Sequence, residues 1–258
     1  MRETSKKARI KKTSTECVLG VLSAALLAFT APSMTLAQGE VRESASHRFE
    51  EVADGVWFAT GTGSVYTMSN ALVLVGSEDT LLVDSHVTAA ASMALIDSLS
   101  VLTDKPVRYL INSHYHFDHA HGNQSFPPGV EIIGHEYTRI KLNGEAGNVL
   151  EEITFKSFSD PVPGTVRSLE RQAADASSGE RREQLLQQAK VQRDYMKAIK
   201  EIVPTPPNIT LDKKMTLFQT LEGGSREIQL RHFGRAHTGG DVLVWLPNEK
   251  IVFTGDMM

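Results

Sequence analysis

Short apolar runs separated by turn residues dominate the chain from about residue 48 to 84 and again from about 225 to 254. FEEVADGVWFATG breaks at Asp54-Gly55, and NALVLVG and DTLLVDS flank Ser77-Glu78, as two strands of a hairpin do. TAAASMALIDSLSVL (88–102) has helical character, and VRYLIN (107–112) and VEIIG (130–134) read as buried strands. Toward the end REIQLRHF alternates, and VLVWL and KIVFT flank the turn Pro247-Asn248-Glu249. Strands interleaved with helices predict an α/β layered domain.

Residues 161–203 differ, being rich in Arg, Glu, Gln, Lys and Ala. Leu185, Ala189, Gln192, Met196, Ile199 and Val203 recur at alternating spacings of four and three, which is one helical face with Gln192 as its polar exception. This segment predicts two antiparallel helices joined near Ser177-Ser178-Gly179 and ended by Pro204, Pro206 and Pro207. Such a pair could be a lid over a site; the simpler reading is a solvated insertion on the domain's flank.

The first 37 residues follow another logic. Residues 1–17 carry six Lys or Arg and two Glu, then VLGVLSAALLAF (18–29) is apolar, and small residues lead to Ala37. This order predicts a signal peptide cleaved near Ala37, and hence a periplasmic or secreted domain over 38–258. A dozen apolar residues fall short of the roughly 30 Å of hydrocarbon that an uncleaved anchor would cross. The segment's net charge of +4 within a whole-chain −4 leaves −8 for the rest, which disfavours nucleic acid as a partner. The single cysteine, Cys17, lies in the same segment, so residues 38–258 offer no disulfide, thiolate ligand or cysteine nucleophile.

The chemistry concentrates in INSHYHFDHAHGN (111–123), which holds His114, His116, Asp118 and His119 within six positions. On a helix His114 and His116 would point about 200° apart, so converging rings need an extended or tightly looped backbone. A loop after the VRYLIN strand suits that, because sites in α/β folds gather at strand ends. Neutral imidazoles with a carboxylate suit Zn²⁺ or a similar divalent ion, and four such groups exceed what one tetrahedral ion readily takes. Two neighbouring ions could share them with His237, in the turn of HFGRAHTGGD, and Asp256, which follows the strand IVFT.

Taken together, His114-x-His116-x-Asp118-His119, His237 in GRAHTGGD and Asp256 in FTGD resemble the metallo-β-lactamase superfamily over roughly residues 48–256. The resemblance implies an αββα sandwich with metals at one edge of its two sheets. It implies that His114, His116 and His237 hold a first zinc ion, that Asp118 and His119 contribute to a second, and that Asp256 bridges them. Asp84, ending LLVD, would orient the ligand loop rather than bind metal. The implied reaction is hydrolysis of a small-molecule lactam, ester or thioester, a metal-bound hydroxide attacking the carbonyl while Asp118 orients the nucleophile or takes its proton.

Two departures bear on this. Asp256 stands where several β-lactamases of the superfamily use cysteine, so the family name does not specify β-lactams. The family's later histidine for the second metal has no counterpart after Asp256, so the sequence reads as C-terminally truncated, with an open edge at the strand near 251–254, a weaker second ion and reduced or no activity. His47, His86, His121, His135 and His232 read as surface or supporting residues, with His121 and His135 the nearest to substitutes. GTGSVYTMSN (61–70) is either a substrate-facing loop or a plain hairpin connection. Competing readings are a non-catalytic metal- or partner-binding protein and an iron-using electron-transfer or oxygen-handling relative.

Overall fold

The computed structural model describes residues 39–258, so the segment read as a signal peptide lies outside the described residues. Five strands open the fold: β1 (Val41–Glu43), β2 (His47–Ala53), β3 (Val56–Gly61), β4 (Ala71–Val75) and β5 (Thr80–Val83). Each is antiparallel to the one before. Helix α1 (Ala89–Ser98) then crosses over to β6 (Val107–Ile111), which pairs with β5 in parallel. Thr88 begins α1 by accepting a hydrogen bond from the Ala91 amide. A one-turn helix, α2 (Phe117–Ala120), leads to β7 (Glu131–His135), parallel to β6.

The helical segment comes next as α3 (Glu136–Leu142), α4 (Ile153–Ser159), α5 (Val162–Ala174) and α6 (Gly179–Ala198). Strand β8 (Ile209–Leu211) adds in parallel beside β7 and completes an eight-stranded sheet in sequential order. The last four strands, β9 (Lys214–Leu221), β10 (Gly224–Arg231), β11 (Leu243–Leu246) and β12 (Ile251–Phe253), form an antiparallel sheet with β9 and β12 at its edges. Among the described residues no helix is long and apolar enough to cross a membrane.

Strand periodicity explains the layers. Leu72, Leu74, Leu81, Val83, Ile111 and Ile133 of the first sheet meet Ile228, Leu230, Val244 and Leu246 of the second in one buried core. On the other face of the first sheet, Val73, Leu82 and Leu110 pack against Leu95 and Leu99 of the α1 region. This is the α/β layering expected from the pattern. On the second sheet Met215, Leu217, Ile251 and Phe253 point into the core, while the intervening Phe218 and Val252 are exposed. Arg226, 2% exposed, ties the sheets together: it bonds Glu249 Oε1 at 3.0 Å, Gln219 Oε1 at 2.8 Å and the carbonyls of Val75 and Asp54.

The helical pair occupies the predicted span and buries much of the predicted face, with Met196 and Ile199 packed partly buried beside Tyr195. Leu185, Ala189, Val191 and Tyr195 are covered, whereas Val203 is 64% exposed because the helix has ended by then. Nor is the pair a detached flank. Val162, Val166 and Tyr195 pack with Phe117 of α2 and with Val65 and Tyr66 of the 62–70 loop, beside the crowded histidines.

Candidate metal centre

The His-rich motif straddles two conformations. His114 and His116 lie in the loop after β6, His116 with extended backbone (φ −58°, ψ 153°), and Asp118 and His119 lie on α2. The extended part turns both rings inward, and the helical turn then brings His119 back to the same side. His237 arrives from the loop between β10 and β11, and Asp256 from the turn after β12.

These residues form two overlapping clusters. Donor atoms of His114, His116 and His237 lie within 4.8 Å of one another, as do those of His114, His119 and Asp256. His116 Nδ1 is 2.9 Å from His237 Nε2, although 121 positions separate them. His119 Nε2 sits 3.3 Å from Asp118 Oδ2 and 3.2 Å from Asp256 Oδ1, and Asp256 Oδ2 is 3.7 Å from His237 Nε2. Asp256 therefore stands between the clusters, while Asp118 joins through His119 alone.

Hydrogen bonding around the site fixes which ring nitrogens face inward. Asp84 is fully buried; its Oδ1 accepts from the Ser113 amide, and its Oδ2 from Ser113 Oγ and His119 Nδ1, at 2.8, 2.8 and 2.7 Å. The one Ser113 hydroxyl hydrogen is thus spent on Asp84. Ser113 Oγ must accept from His114 Nδ1, 3.1 Å away. Both His114 and His119 therefore turn Nε2 toward the cluster, and both atoms are buried without a hydrogen-bond partner. Buried nitrogens orphaned in this way, aimed at carboxylates and further imidazoles, form the donor set of a divalent-cation site.

Electrostatics agree with that donor set. Burial and the neighbouring imidazoles push the His114 and His116 pKa values down, which keeps their lone pairs available. Burial alone would depress His119 too, but the Asp84, Asp118 and Asp256 carboxylates outweigh it and hold His119 well above the ordinary value. The His119 ring, 3.2 Å away, and the other imidazoles around it hold Asp256 well below the usual carboxylate range. Three carboxylates gathered on one ring mark a place that calls for positive charge.

The surrounding backbone is built for closeness. Gly255 has φ +54°, and a Cβ there would stand 2.6 Å from Ser113 Oγ. Gly122 leaves room for the Ser85 carbonyl, which an added Cβ would meet at 1.9 Å. Asp241 closes the His237 loop, accepting from Thr238 N at 2.8 Å and Thr238 Oγ1 at 2.7 Å. Ligand spacing singles out neither Ser113 nor Asp241; the TGGD turn is the only sequence signal for the second.

The remaining histidines stay outside both clusters. His47, His86 and His121 are buried rather than on the surface, and His135 stacks on His232 with ring centroids 4.0 Å apart. Neither donor cluster includes any of them. The 62–70 loop joins antiparallel strands yet also faces the site: Met68 and Ser69 line a cleft of about 510 Å³ with Asp118, His119 and Asp256. Apolar side chains of Phe58, Leu72, Ile251 and Phe253 complete its walls.

The family model of the metallo-beta-lactamase superfamily matches residues 66–258. Among solved structures, a metallo-beta-lactamase from Pontibacter korlensis is 18% identical, the match covering 84% of this chain and 71% of that one with a TM-score of 0.45. A metallo beta lactamase from Erythrobacter litoralis, with beta mercaptoethanol in its active site, is also 18% identical, covering 81% and 70% with a TM-score of 0.45. No curated protein matches the chain.

Proposed function

Because this chain belongs to the metallo-beta-lactamase superfamily, we propose that it is an exported, zinc-dependent hydrolase of a small-molecule lactam, ester or thioester. The observation that carries the reading is the convergence of His114, His116 and His237, with His114 Nε2 buried and unpaired. His114 Nε2, His116 Nδ1 and His237 Nε2 would hold a first ion. Asp118, His119 and Asp256 would hold a second, and with one imidazole against three the second binds more weakly. A divalent ion bound there supplies Lewis acidity and water acidified to a pKa of about 7.

The chain's own residues then account for orientation and proton handling. Ser113 and Asp84 fix the rings of His114 and His119. Asp118, which lines the cleft, would accept a proton from the attacking water. Export rests on the basic, apolar and small-residue order of residues 1–37. The test is elemental analysis combined with a panel of β-lactams, thioesters and lactones, on the wild type and on His116→Ala and Asp118→Ala. Turnover that survives both substitutions would sink the hydrolase reading.

A further inference from the structure

The tripeptide Asp84-Ser85-His86 lies directly against the ligand loop. Asp84 holds His119 and Ser113. The Ser85 amide donates to the His119 carbonyl at 2.8 Å, and the Gly122 amide donates to the His86 carbonyl at 3.0 Å. Asp84 and His86 both adopt left-handed backbone, φ +67° and +64°, as does Met68 at +65° on the facing loop. Non-glycine residues rarely hold such angles, and three of them against one site indicate a conformation enforced by its surroundings.

The His86 side chain makes a contact that the metal reading does not use. Ser69 Oγ donates to the Asp118 carbonyl, which can only accept. With that hydrogen committed, Ser69 Oγ must accept from His86 Nδ1, 3.1 Å away. His86 Nε2 then carries the lone pair and accepts from His47 Nε2, at 3.1 Å. His47 Nδ1 is left as an acceptor beside Ser46 Oγ, at 3.0 Å, whose hydrogen also reaches the Ala94 carbonyl at 3.2 Å. Every hydrogen from His47 onward runs one way, through His86 and Ser69 to the Asp118 carbonyl. Both rings are fully buried, and burial lowers the His47 pKa to about 4 and the His86 pKa to about 3, so each carries a single N–H.

We propose that Ser69, His86 and His47 are positioning residues for the second ion: a one-way hydrogen-bond chain that locks the Ser69 hydroxyl onto the Asp118 carbonyl and so fixes the Asp118 carboxylate. This role rests on the two-ion reading of the site. The chain reaches the Asp118–His119 turn and touches none of His114, His116 and His237, so its loss weakens one ion and spares the other.

Two measurements on the full chain test it. Long-range ¹H–¹⁵N correlation on metal-free protein reads the tautomers; His86 carries its proton on Nδ1 and His47 on Nε2. The reverse assignment on either ring overturns the chain. Co²⁺ titration followed by visible absorption then compares wild type with Ser69→Ala, His86→Ala and His86→Asn. Ser69→Ala and His86→Ala weaken the second equivalent by about 10–100-fold, the range for groups that orient a ligand, and leave the first unchanged. The double variant is no weaker than either single one. His86→Asn restores binding, because its amide supplies a donor at the Nδ1 position and asparagine accepts positive φ. Equal weakening of both equivalents in Ser69→Ala, or additive losses in the double variant, overturns the positioning role. Two equivalents unaffected by Ser69→Ala refute the role and leave the metal reading standing. A wild type that takes up no Co²⁺ refutes the metal reading and the role together.

Discussion

Asp84 and His119 meet at 2.7 Å, the carboxylate fully buried and the ring nearly so, 35 positions apart in sequence. The carboxylate takes three donors in all, from His119 and from the amide and hydroxyl of Ser113, so it sets two ligand rings at once. Asp84→Asn must turn an NH₂ group toward at least one of those donors. Asparagine tolerates the φ of +67°, so the substitution acts through the hydrogen bonds and not through backbone strain. Metal affinity falls by about 10–100-fold, measured by competition with a chromogenic chelator; an unchanged affinity would refute the orienting role.

Gly255→Ala places a methyl group 2.6 Å from Ser113 Oγ on a backbone at φ +54°. Neither the angle nor the neighbour can give freely. Urea denaturation should show a loss of about 1–3 kcal/mol, with weaker metal uptake because Asp256 is the next residue.

Metal removal couples to stability through mass action. A ligand at a hundred times its dissociation constant adds about 2.7 kcal/mol. Chelation therefore lowers the melting temperature of the wild type, and scanning fluorimetry with and without EDTA shows it. His237→Ala shrinks this difference, since it removes one of the three imidazoles of the first cluster. A melting shift undiminished in the variant would place the ion elsewhere.

Acid should destabilise the metal-free protein. Burial holds the pKa values of His47, His86 and His121 at about 4, 3 and 4 against an unfolded value near 6.5. Between pH 6.5 and 4 the unfolded chain binds more protons, so stability falls as pH falls, by up to about 1.4 kcal/mol per unit for each group. His119 is shifted upward, so its contribution is fully present below pH 6.5 and is lost only as pH rises through its folded pKa. It does not oppose the acid loss. The urea midpoint, measured from pH 7 to 4.5, should drop steadily, and His86→Asn should flatten the slope. A midpoint that rises with acid contradicts this.

Arg226→Met leaves Glu249 in a largely buried position without its cation and strands two carbonyls that the guanidinium served. Breaking a buried pair by removing one partner costs about 3–5 kcal/mol. Thermal unfolding measures it; a change under about 1 kcal/mol would show that water reaches those groups.

The sequence by itself determined most of the strands, though not β1, β8 or β9, and supplied the candidate ligands. Period-two runs such as REIQLRHF and buried runs such as VRYLIN name their own elements, because a strand's pattern reports which face meets the core. The spacing of His114, His116, Asp118 and His119 declared metal chemistry, because so dense a set of ligand types has little other use. Tertiary structure alone decided which partners each side chain met. Tyr195 joined the helical pair's buried face because the motif helix and the 62–70 loop, distant in sequence, pack against it, and Val203 left that face because the helix ends before it. Ser69, His86 and Ser113 carried no local signal, since a hydroxyl or imidazole acquires its donor or acceptor role only from the atoms that surround it.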